Sequence, residues 1–283
     1  YSAAGGGVLI ALMALFKTYL GSIIDDKVWK GIAEGLNYGL GFMVIFMLHF
    51  TVATKQPAMT AARFAEAVEK TPQGKTVNMK LAQLLVDVFR SQSIAVLGNV
   101  LIAMGLAALI AFGYQYKTGE PLMNADQIAY QLHSIDPFAG TLWFAAIAGV
   151  WLFCSGIISG YFDNRSNYLN MRMRLTQHPL LKKLMSEKTR VKFANYMHEN
   201  YGSLIGNLCF GMLLGITGVV GYLTHLPLDI RHVAFSSANV GYIAVSGQFT
   251  YSLLLQCIGF VLLIGLVNLI VSFSRSEEHT SEL

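Results

Sequence analysis

Apolar residues in this chain gather into long unbroken stretches, and polar residues gather between them. A membrane helix needs about 20 mostly apolar residues, and six stretches meet that length: 3–24, 35–54, 94–116, 139–162, 203–223 and 251–273. The first is interrupted by Lys17, which must reach the interface or find a partner. The polar connections also carry helical signals. Val77, Leu81, Leu84 and Val88 recur at a helical period after the turn Thr71-Pro72-Gln73-Gly74. His178-Pro179 opens a helix carrying Leu180, Leu181 and Leu184, and 186–200 puts Val191, Ala194 and Met197 on one side. The expected fold class is all-α: a polytopic bundle of about six transmembrane spans, with amphipathic helices beside the membrane.

Composition agrees with this pattern. Hydrophobic residues make up 54% of the 283 residues, charged residues 13%, and mean hydropathy is +0.50. A soluble domain carries roughly twice that share of charge. The last nine residues, 275–283, read as translated sequencing adapter, so the transmembrane domain is placed at 1–274. The chain is expected to be a piece of a longer one, with further parts of the same chain before and after it.

Charge orients the bundle. The connections after spans 2 and 4 hold 14 of the 20 Lys and Arg residues. The connection after span 3 has only Lys117, and that after span 5 only Arg231. Lys and Arg stay on the cytoplasmic side, so both chain ends are expected there, in a bacterial inner membrane. Contact with anionic lipid and topology account for the basic residues, and a partner or nucleic-acid surface is the alternative.

Small residues punctuate span 5: Gly202, Gly206, Gly211, Gly215, Gly218 and Gly221, with Gly211 and Gly215 four apart. Such spacing lets helix backbones approach closely in lipid. A flexible gating helix is the other reading. Cys154, Cys209 and Cys257 each sit in an apolar stretch without metal spacing, so no metal site and no cofactor are expected.

Three polar constellations stand out. His49 lies near the end of span 2, inside the predicted 35–54 stretch, as an intramembrane candidate alongside Lys17; a neutral histidine bonded to a neighbouring helix is the plainer reading. Lys55 follows as an interfacial anchor. At the end of span 4, Asp163, Asn164 and Arg165 suggest a capping and anchoring cluster, with Asp163 able to pair with Arg165 or Arg172. The third segment runs from Leu226 to Tyr242. It carries Asp229, Arg231 and His232, then Ser236, Ser237 and Asn239 among apolar residues. It is too short to span, but too apolar for a solvated loop. A structured or re-entrant element is expected, with Asp229 and Arg231 paired at its mouth and the polar residues facing a cavity.

Three strings carry a resemblance: HFTVATKQPAM from His49, SGYFDNRSNY from Ser159, and the stretch from Gly206 through PLDIRHVAFSSANVGY to GLVNLIVSFS. They resemble a bacterial integral-membrane family that bears the name site-specific recombinase, over essentially residues 1–274. The resemblance implies DNA as a partner. Recombinases need an activated Ser or Tyr with Arg and His around a phosphate, in a site that DNA can reach. Here Arg231 and His232 fall on the side away from the cytoplasm, and the basic connections hold no recognisable DNA-binding motif. No Walker A loop, HExxH or GxSxG is present either. Three functions therefore stand side by side: recombinase, transporter or channel, and membrane scaffold.

Overall fold

The computed structural model describes residues 1–52, 75–247 and 249–281. Among these residues there are ten α-helices and one 3-10 turn, Pro137–Ala139. The helices are α1 (Ser2–Ile23), α2 (Lys27–Met47), α3 (Lys75–Thr118), α4 (Ala125–Ile135), α5 (Thr141–Tyr168), α6 (Met171–Gln177), α7 (Pro179–Leu184), α8 (Glu187–Thr224), α9 (Val233–Ala244) and α10 (Tyr251–Ser281).

Five of them, α1, α3, α5, α8 and α10, contain stretches long and apolar enough to cross a membrane. The protein is thus a multi-pass helical membrane protein. The remaining expected span, the second in the chain, corresponds to α2, displaced from 35–54 to Lys27–Met47. Asp26 sets its start, accepting from the N–H groups of Val28 and Trp29 at 2.9 Å each. The helix therefore begins before the apolar run. Lys30, Glu34 and Asn37 fall inside it and lower its apolarity. Its C-terminal end comes early because His49 takes a left-handed conformation (φ 57°), a helix-ending geometry.

Two expected amphipathic helices are not separate elements. The helix around Val77–Val88 is continuous with span 3, and that from 186 to 200 is continuous with span 5. At 1.5 Å per residue, α3 (44 residues) reaches about 66 Å and α8 (38 residues) about 57 Å. Both exceed the roughly 30 Å hydrocarbon layer and project beyond it.

Close approach of backbones organises the bundle. α2 runs antiparallel to α8, with Gly31 against Val219, Gly35 against Met212 and Gly39 against Leu208. From the other side, a Cβ on Gly211 would collide with the backbone of Gly39, and one on Gly215 with the backbone of Gly35. The glycines of span 5 therefore serve tight packing. Their partners, Gly31, Gly35 and Gly39 at intervals of four, were as visible in the sequence. α5 packs along α8 in the same manner. Gly202 and Gly206 lie against Ser159, and the indole of Trp151 donates to the Thr217 hydroxyl at 2.8 Å.

The short helix α9 occupies the interior. Ten of its 12 residues are buried. It touches α1, α3, α4 and α10, and Phe235 stacks obliquely on Tyr38 of α2 with ring centroids 4.5 Å apart. The segment expected to be structured is thus a buried helix, with Phe235 and Val240 both inside.

Candidate functional site

A cavity of about 470 Å³ opens between α1, α2, α4 and the chain leading into α9. Its wall includes Lys17, Asp229, Arg231, His232, Ser236 and Asn239, which are six of the residues singled out from sequence. The remaining candidate of the Leu226–Tyr242 segment, Ser237, is fully buried and turned aside; its hydroxyl donates to the Ala234 carbonyl at 2.7 Å.

Two ion pairs stand in the wall. Lys17 Nζ lies 3.4 Å from Glu34 Oε2. Its ammonium also sits over the Tyr38 ring, 5.6 Å from the centroid. An ammonium in the middle of an apolar helix is costly without such company. Glu34 is the better covered of the two, its side chain only 14% exposed. The second pair joins Arg231 Nη1 to Asp229 Oδ2 at 2.6 Å, as the sequence suggested. Backbone holds the Arg231 guanidinium as well: Nε donates to the Ser134 carbonyl at 2.8 Å, and the same Nη1 donates to the Ile230 carbonyl at 2.7 Å. This side chain therefore ties α4 to the segment entering α9.

The entry into α9 is fixed by Asn268 of α10, which is fully buried. Its amide donates to the carbonyls of Ala145 (2.7 Å) and Arg231 (3.0 Å), and its oxygen accepts from the Val233 N–H (3.1 Å). It supplies from a distant helix the cap that α9 lacks from its own residue His232. At the other end of α9, the Tyr242 hydroxyl donates to the Ala11 carbonyl at 2.7 Å.

Below the polar wall the cavity is closed by aromatic rings. His232 is 1% exposed, and its ring lies 5.9 Å from Phe210, 5.9 Å from Phe235 and 6.3 Å from Phe42, edge-on to each. The cavity thus joins paired charges on its walls to an apolar, tightly packed floor. Such a site can orient a small polar ligand through donors on Lys30, Gln127, Ser236 and Asn239 and acceptors on Glu34 and Asp229.

The remaining sequence candidates lie elsewhere. His49 is not inside a span; it follows α2, is exposed, and its carbonyl accepts from the Ser2 hydroxyl at 2.9 Å. The displaced helix end is the reason. Asp163, Asn164 and Arg165 do not cap α5, because that helix runs on to Tyr168. Asp163 accepts from the Gly202 N–H at 2.9 Å rather than pairing with Arg165, which reaches the Tyr161 hydroxyl at 3.4 Å. Asn164 and Arg165 are exposed. Lys55 lies outside the described residues.

Sequence reasoning missed Lys30, Glu34, Tyr38 and Ser134. For Glu34 a signal existed. Lys17 needs an acidic partner at membrane depth, and Glu34 directly precedes the predicted 35–54 stretch.

The model of the family described as site-specific recombinase matches residues 1–276. The chain belongs to that family. No curated protein and no solved structure matches it. In this member of the site-specific recombinase family, the cavity lies at the end of α5 near Phe144, whose carbonyl accepts from the Arg231 N–H at 3.2 Å. The basic helices α6 and α7 follow the opposite end of α5. The site and the basic region thus occupy opposite ends of the bundle.

Proposed function

We propose that this membrane domain binds a small polar or charged solute in the cavity of Lys17, Glu34, Asp229 and Arg231, as a transporter or channel would. One observation carries the reading: ionisable side chains from α1, α2 and the α9 entry converge on one open space. Ionisable groups at membrane depth are expensive to keep and commonly line solute or ion paths. Inert packing would favour apolar residues of similar size, which stabilise as well or better. The aromatic floor under His232 would hold such a site shut from one side while it is open to the other.

The family name points instead to DNA strand exchange. Geometry speaks against this cavity as the place for it. A cleavage site must present a nucleophile and phosphate-clamping cations to a duplex, and this cavity sits between helices at the end away from the basic region. The projecting, basic start of α8 with α6 and α7 supports a docking role as a second reading, compatible with the first.

Water access decides the solute-binding reading. In a background lacking Cys154, Cys209 and Cys257, Asn239→Cys and Ser236→Cys are expected to react with a membrane-impermeant thiol reagent, and Ser237→Cys to stay protected. Equal protection at all three positions would mean a dry interior and would end the proposal.

A further inference from the structure

The polar cavity does not stand alone. A larger groove of about 960 Å³ lies against it, walled by Leu12, Leu15, Phe16 and Tyr19 of α1 and Ile110 and Tyr114 of α3. Thr18, Asn124 and Gln127 line both spaces. They form a low partition, since Asn124 and Gln127 are held to each other by a reciprocal capping box (2.9 and 3.0 Å) and the Thr18 hydroxyl donates back to the Ala14 carbonyl (3.1 Å). The groove runs from Leu12 to Ser22, about 15 Å along α1. This part of α1 belongs to a helix long and apolar enough to cross a membrane, so lipid is the medium expected outside the groove.

From this continuity we propose that the site takes an amphiphile: an anionic phospholipid whose head enters the polar cavity over Thr18 and Gln127 while an acyl chain lies in the α1–α3 groove. The proposal rests on the solute-binding reading and names the class of ligand. Three features select this occupant. The groove offers mainly apolar and aromatic walls, with Ser22 and Glu120 also in its lining, and such walls suit a hydrocarbon chain. The cavity beside it is polar, so one molecule must change character along its length to fill both. Among the described residues, Lys17 and Arg231 are each matched to a carboxylate, while Lys30 forms no ion pair. Its ammonium lies in the cavity wall against Gly21, where a Cβ would come within 3.1 Å of Nζ. The unmatched charge favours an anion, here a phosphate, as the group that enters. Asp126, the remaining carboxylate of the lining, is exposed, whereas Lys30 is half-buried.

The test uses the whole chain with Asn239→Cys in the cysteine-free background, in mixed micelles. The rate of labelling by an impermeant thiol reagent is read with phosphatidylcholine, with phosphatidylglycerol, and with soluble glycerol phosphate. Phosphatidylglycerol is expected to slow labelling about tenfold relative to phosphatidylcholine, the ratio given by about 1.4 kcal/mol of differential binding. Adding Lys30→Gln is expected to abolish that difference while labelling in phosphatidylcholine persists. A diazirine on the acyl chain of the bound phosphatidylglycerol is expected to crosslink to α1 or α3 at the groove. Equal rates in both lipids overturn the proposal and leave the solute-binding reading standing. Protection by glycerol phosphate as strong as by the lipid overturns it too, since the groove would then be idle. Failure of labelling in every condition overturns both.

Discussion

Asn268 is one residue on which the site depends without forming part of its lining. Every polar position of its side chain is used, on three backbone groups from two other parts of the chain. Replacing it with Leu would keep the volume and strand the Val233 N–H and two carbonyls in an apolar interior. Leaving a buried partner unpaired costs about 1–3 kcal/mol, though intramembrane contacts often measure near 0.6. Asn268→Leu is therefore expected to lower stability against denaturing detergent by roughly 2 kcal/mol. Loss of the α9 cap should also loosen Arg231 and speed labelling at Asn239→Cys. Unchanged stability together with unchanged labelling would show that the cap is dispensable. Nothing in the sequence marked this asparagine, because its partners at Ala145 and Arg231 are distant in the chain and only the folded bundle brings them together. Arg231 and Asp229 were legible as a pair because they are two residues apart.

Among elements, the glycine contacts separate packing from mere composition. Gly211 meets the backbone of Gly39, which cannot yield, whereas Gly105 has nothing within 4 Å of a prospective Cβ. Both are helical glycines, and Ala is the better helix former by roughly 1 kcal/mol where space allows. Gly105→Ala is accordingly expected to be neutral or stabilising, and Gly211→Ala to reduce the yield of folded protein. A chain that tolerates both would place the α2–α8 contact in doubt. Helix existence and type followed from hydrophobic length. Boundaries did not, because they depend on capping chemistry such as Asp26 at the start of α2 and the left-handed His49 after it. Glu34 lies outside the predicted 35–54 stretch but inside the observed helix for the same reason. The fused helices α3 and α8 show the same limit from the other side. Amphipathic and spanning segments carry different patterns, yet the backbone has no reason to break between them when no Pro intervenes.

For the whole molecule, the bundle has two chemically distinct ends. One end carries α6, α7 and the start of α8, with Arg172, Arg174, Lys182, Lys183, Lys188, Arg190 and Lys192. The other carries the cavity mouth at Asp229 and Arg231, where the Trp143 indole donates to the Pro227 carbonyl at 3.0 Å. Lys and Arg near span ends are retained on the cytoplasmic side, while acidic residues contribute little to orientation. Fusions at Lys183 are therefore expected to be inactive as phosphatase and active as a cytoplasmic reporter, and fusions at Asp229 to behave in the opposite way. The cavity would then open away from the chromosome, toward solutes and the far leaflet, and a DNA substrate could not reach it. A phosphatase signal at Lys183 would invert the molecule. Arg231 and His232 would then face the cytoplasm, and strand exchange, which the family name implies, would regain a physical route to this site.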